Sequence, residues 1–226
     1  MRSDDPSTMF VPPPSSANAV GWRTGVIESW DDLTGLNSVR IESQLFNNLR
    51  VLSNGLVSPF RPGDVVGVEV IGTQYFVLGK IRAPGASLAE QIRSAEVLNF
   101  EVLAPAGAFV DLPTVGPTLT DVYIGSSRRC LVTVSGYIQV SQASGRIGVQ
   151  VSGVSKIDPI SQHTAVNYVQ GSSDISGIAT SRTFLLQSTD GLNQGLNTFK
   201  CLYSVVVNGG GTGAAFGDRT LTVQPF

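Results

Sequence analysis

Residues able to do chemistry are few in this chain, and they lie far apart. The 226 residues include 1 histidine, His163 in the polar stretch SQHTAVNY, and 2 cysteines, Cys130 and Cys201. A tetrahedral zinc site needs clustered Cys and His ligands, which this spacing does not offer. Ser and Asp abound, yet no G-x-S-x-G elbow presents a nucleophile, so a Ser-His-Asp triad has no recognisable seat. Asp111, Asp121, Asp158 and Asp174 are carboxylates that strand pairing could bring together for glycoside hydrolysis, and each falls at a turn or strand edge. Asp31-Asp32 reads as a turn, not a calcium loop. Gly209-Gly210-Gly211-Thr212-Gly213 has the composition of a phosphate loop, but a strand pattern follows and no Gly-Lys-Ser/Thr does. It reads instead as a turn or a close approach of backbones near a symmetry axis. The chemistry thus points to a chain that is not an enzyme, with no catalytic residue, cofactor or metal site.

Composition narrows the classes further. Charged residues are 14% of the chain, below the usual quarter, and a hydrophobic fraction of 42% is enough for packed cores. A net charge of −2 cannot neutralise a phosphate backbone, which argues against nucleic acid as a partner. No uninterrupted apolar run approaches the ~18 residues of a membrane helix, so no membrane insertion is expected. The opening, MRSDDPSTMFVPPPSSANAVGW, has acidic residues and prolines where a secretory signal needs a basic patch and an apolar run. Synthesis in a cytoplasm, with any outside location reached by assembly or lysis, is the expectation. Alternation places Cys130 with Val132 and Val134, and Cys201 with Tyr203 and Val205. Buried thiols are expected there, with a disulfide as the alternative.

The elements that would position these residues are mainly β. Residues 1–20 read as an extended arm, because Pro12, Pro13 and Pro14 forbid a helix. Phe10 and Val11 are its candidates for docking on a neighbour. Residues 21–83 alternate as a small OB-like β-barrel of five strands. Val39 and Ile41 share one face against Arg40 and Glu42; Leu49 and Val51 lie against Arg50 and Leu52; Val66, Val68 and Val70 share another face. Arg61-Pro62-Gly63-Asp64 is a turn. Arg40, Arg50 and Lys80 are single cations on separate strands and form no track, and Trp22, Trp30, Tyr75 and Phe76 read as core or interface.

Residues 84–99 read as a linker carrying one short α-helix. Ser87-Leu88-Ala89-Glu90 has the form of a capping box, and Leu88, Ile92 and Ala95 recur at helical spacing. That narrow stripe needs cover, either from the chain itself or from further copies around a symmetry axis, where Leu88, Ile92 and Ala95 would be the interface. Residues 100–226 carry short strands split by Gly, Ser, Asp and Asn, the pattern of an antiparallel, jelly-roll-like β-sandwich.

Two strings resemble one family. FRPGDVVGVEVIGTQYFVLGKI, residues 60–81, is similar to the last two strands of OB-like domains in bacteriophage tail and baseplate proteins. FVDLPTVGPTLTDVYIGSSRRCLVTVSGYIQV, residues 109–140, resembles the C-terminal sandwich of minor tail proteins in phages of actinobacteria, as does the ending RTLTVQPF. The resemblance implies a structural virion protein of a tailed phage, a homotrimeric minor tail or tail-tip component. Its barrel would attach to other virion proteins, and its sandwich would face outward, toward a host-surface glycan or protein. A capsid decoration or head-fibre protein is the alternative address. A carbohydrate-binding module or cell-wall hydrolase is the alternative of another class, and it predicts an exposed aromatic cluster or a carboxylate pair in the second half.

Overall fold

The computed structural model describes residues 20–52, 60–81, 92–168, 176–207 and 211–226. Internal contacts divide the chain into two units, one within residues 1–88 together with Gly125–Ser127, the other within 89–124 and 128–226.

The first unit is built from β1 (Val20–Trp30), β2 (Asn37–Ile41), β3 (Gln44–Asn47), β4 (Arg50–Val51), β5 (Val65–Ile71) and β6 (Gln74–Lys80). β1 pairs with β2 and β5, β2 with β3, and β5 with β6, all antiparallel. β4 then pairs with β6 in parallel. β3 and β4 are halves of one bent strand, broken where Asn48 takes a φ of 56°. Joining them closes the sheet in the strand order of an OB-fold barrel. Closure follows from the two-residue period. Ile27, Val39, Ile41, Val66, Val68 and Val77 point inward with Phe60, and Trp30, Phe46, Leu49, Val51 and Tyr75 pack around them.

The second unit holds β7 (Arg93–Val97), β8 (Glu101–Leu103), β9 (Ala106–Val110), β10 (Thr118–Ile124), β11 (Arg129–Val140), β12 (Ala143–Gly153), β13 (Thr164–Tyr168), β14 (Ser176–Gln187), β15 (Gly195–Val207) and β16 (Ala214–Pro225). One sheet runs β14-β11-β16, with β7 and β8 successively along β16. The other runs β10-β15-β12-β13, with β9 also on β15. β7 with β8, and β9 with β10, each occupy one strand position. The first strand therefore pairs with the last, the second with the next to last, and so inward to β11 with β14 and β12 with β13. That nesting is the jelly roll. Between its sheets lie Ile124, Val132, Val134, Ile138, Ile147, Val149, Phe199, Phe216, Leu221 and Val223, among others.

The expected linker helix is corrected over residues 93–97, which form strand β7. Arg93-Ser-Ala-Glu-Val alternates, and the edge of β16 offers unpaired backbone groups that a helix would leave bare. Pairing of Ala95 with Leu221, over a hundred residues away, outweighs a local capping signal. The remainder of the expected helix, from 84 to 91, lies outside the described residues. Among those described, the helical segments are single 3-10 turns at Ser161–His163 and Ser188–Asp190.

Candidate functional site

The chemistry-bearing side chains are held in structural work. His163 stacks on Phe184, centroids 4.5 Å apart and planes 7° from parallel, which makes it a packing ring at a strand end. Asp111 is paired with Lys200 at 2.7 Å, and Asp158 accepts from Gln150 at 3.3 Å. Asp121 sits at an irregularity of β10 with a φ of 55°. Asp174 lies outside the described residues. Asp31 accepts from the amides of Leu33 and Thr34, and those bonds hold its carboxyl below the usual range while closing the turn. Cys130 and Cys201 are free, buried thiols, and burial pushes both up to about 12, far from a reactive thiolate. Among the described residues no group of three or more His, Cys, Asp or Glu could hold a metal ion. No helix of the described chain is long and apolar enough to cross a membrane. Of the glycine tract, Gly209 and Gly210 lie outside the described residues; Gly211 and Gly213 lie against backbone carbonyls of Gln142 and Leu103, and strand β16 follows.

On the barrel, cations meet carboxylates. Arg40 donates to Glu28 at 2.6 Å, Lys80 meets Asp64 at 2.7 Å with its side chain 7% exposed, and Arg23 lies 3.5 Å from Glu42. Such pairing leaves no basic track for a polyanion. Trp30 packs on Phe60 and Phe46 on Tyr75, each at 4.6 Å, so these four rings serve the barrel core. Trp22 stands half exposed on the outer side of β1. An open hollow of about 370 Å³ is lined by Ser29, Trp30, Asp31, Asn37, Asn47 and Asn48, among others. Its buried polar residue, Asn37, uses its amide on the backbone, donating to the carbonyls of Gly35 and Leu49 and accepting from Leu49 N–H. The hollow therefore holds no acid–base pair.

The jelly roll buries one charged cluster. Arg219 is fully buried; its Nη2 donates to the Asn99 carbonyl at 3.1 Å, and its Nη1 lies 3.9 Å from Glu101. The guanidinium sits 5.4 Å from the Tyr203 ring centre, within cation–π range. Its Nε and Nη1 make no hydrogen bond within the protein. Glu101 accepts the Thr114 N–H, and hydrogen bonding from Thr114, through its side chain first and its backbone amide second, aided by Arg219, holds its carboxyl below the usual range. With no route to solvent for the cation, the cluster is a brace that clamps β8 and the turn before it onto β16. Its signal was present in RTLTV: Arg219 shares the inward register of Leu221 and Val223.

The residues expected at a neck or arm interface fall only partly among the described ones. Leu88, Phe10 and Val11 lie outside the described residues. Ile92 is half exposed just before β7, while Ala95 packs against the sandwich core, so the two do not form a helical stripe.

The fold defines a class, a two-unit β protein with an OB-type barrel and a jelly roll. No protein-family model and no curated protein matches the chain. Among solved structures, a chain of infectious bursal disease virus Gt strain is 12% identical with a TM-score of 0.35, over 96% of this chain and 54% of that one. This chain thus spans about half the length of that match. A chain of the Gx strain is 10% identical with a TM-score of 0.33, over 95% and 73%. The VP2 subviral particle of the same virus gives 11% identity and a TM-score of 0.35, over 98% and 76%. At these scores the likeness stops short of a shared fold.

Proposed function

We propose that this chain is a structural, non-enzymatic virion protein, and that it serves as a homotrimeric minor tail or tail-tip component of a tailed phage. The barrel attaches to neighbouring virion proteins and the jelly roll is displayed outward. The observation that carries this reading is the nested strand order of the second unit, a fold that viral capsid and lectin domains use for assembly and display. An OB-type barrel in the same chain, with Arg23, Arg40 and Lys80 paired and Trp30, Phe46, Phe60 and Tyr75 in or against the core, suits a docking hub better than a nucleic-acid site. The two phage-like strings supply the tail address by analogy. Light scattering after size exclusion tests the oligomer: a mass three times 23.8 kDa that survives dilution supports it, and a monomer at every concentration refutes the trimer. Detection of the chain in purified virions tests the address.

A further inference from the structure

The outer face of the β14-β11-β16-β7/β8 sheet is ordered in rows. Cross-strand register aligns Thr183, Thr133, Thr222 and Ser94 in one row, and Ser181, Ser135, Thr220 and Glu96 in the next. The third row is Ala179, Tyr137 and Gly217, and the fourth Gly177, Gln139, Ala215 and Val102. Two aromatic rings lie across the lower rows. Phe100 covers Gly217, where an added Cβ would stand 2.5 Å from its Cδ2, and Tyr137 covers Gly177. The ring centres are 5.9 Å apart with planes at 43°. Each ring rests on a glycine; Phe100 is 53% exposed and Tyr137 is half-buried.

We propose that this face binds a neutral polysaccharide. Charge sets the class first. Glu96 is the charged residue in these four rows and no lysine or arginine stands in them; the same face of β11 continues through Leu131 to a single cation, Arg129, so a polyanion finds little counter-charge and a neutral chain meets no penalty. A protein partner fits less well, because interface cores are enriched in Arg, Met and aromatics and depleted in Ser, whereas hydroxyls dominate here. A sugar ring has an apolar side of polarised C–H groups, which stacks on the negative face of an aromatic ring, and hydroxyls at its rim. The rows supply both partners. Thr133 and Thr183 are within 2.9 Å of each other, and Ser94 and Thr222 within 3.0 Å. Each hydroxyl has one donor and two acceptor sites, so these links fix side-chain direction and leave capacity for a ligand. The tilt between the rings suits a twisted glycan chain better than a flat crystalline surface.

This inference rests on the display reading above and names what the displayed domain meets. The test is affinity electrophoresis of the full-length protein in native gels containing dextran, galactomannan or hydroxyethylcellulose, with alginate as the polyanion. Retardation by at least one neutral gel and not by alginate is expected. Phe100→Ala should weaken it by about fivefold, and Ala179→Arg, at an exposed position beside Tyr137, should abolish it, each with an unchanged melting temperature. A wild-type chain that no neutral gel retards overturns the proposal. So do variants retarded like wild type, or an Ala179→Arg change that splits an oligomer, which would make the face a contact between copies. Detection in virions is independent of these gels, so a failed glycan site and a failed virion assignment give different results.

Discussion

At the scale of single residues, Arg219 is the most consequential side chain. A buried cation with one carboxylate near it is costly to disturb from one side only. Arg219→Ala should lower stability in urea by about 3–5 kcal/mol, while Arg219→Met, which keeps volume and removes the unpartnered N–H groups, should cost markedly less. Glu101 gives the pair a pH dependence. Its carboxyl titrates below the ordinary range in the folded chain, so the folded state binds fewer protons there than the unfolded one. The stability it contributes is full above the unfolded value near ~4.3 and is lost as pH falls through the lower folded value. Glu101→Gln should therefore lower the melting temperature at pH 7 by more than it does at pH 3. A gap that widens in acid would contradict this. The cysteines make a simpler test. With both thiols buried and pushed up to about 12, neither should react with a maleimide in the native protein, and both should after denaturation.

At the scale of elements, the strands were legible wherever a two-residue period ran unbroken. Val39 with Ile41, Leu49 with Val51, and Cys130 with Val132 and Val134 all point where alternation sends them. Two features were not legible. Ala95 falls at helical spacing from Leu88 and Ile92, behind a capping-box sequence at 87–90, and only the partner strand decides the matter for residues 93–97. Secondary chemical shifts of these residues should be extended; helical shifts would contradict β7. The nesting of first strand with last was also hidden, because pairing across the whole unit leaves no local trace. The stacking of His163 on Phe184 and the pairing of Asp111 with Lys200 had no local trace, and the approach of Tyr137 to Phe100 needed the register of four strands to appear. Close packing within the roll is equally non-local. A Cβ on Gly145 would stand 2.5 Å from Ile138 Cγ2 and 3.1 Å from Val140 Cγ1, so Gly145→Val should cost about 3 kcal/mol in urea unfolding.

At the scale of the whole molecule, the chain divides into two β units, and the proposed function assigns each a separate task. The barrel has a filled interior and three of its cations, Arg23, Arg40 and Lys80, paired with carboxylates, which fits its proposed attachment. The jelly roll turns a hydroxyl-rich sheet face outward from its own core, which fits its proposed display. Address and orientation are then the central claim, and antibody labelling tests both. Fab fragments raised against the separate units would be applied to purified virions under the electron microscope. The account predicts that jelly-roll Fabs decorate the tails of intact particles, while barrel Fabs bind only after particles are dissociated. Absence of the chain from purified virions, or barrel labelling that equals jelly-roll labelling on intact particles, would contradict it.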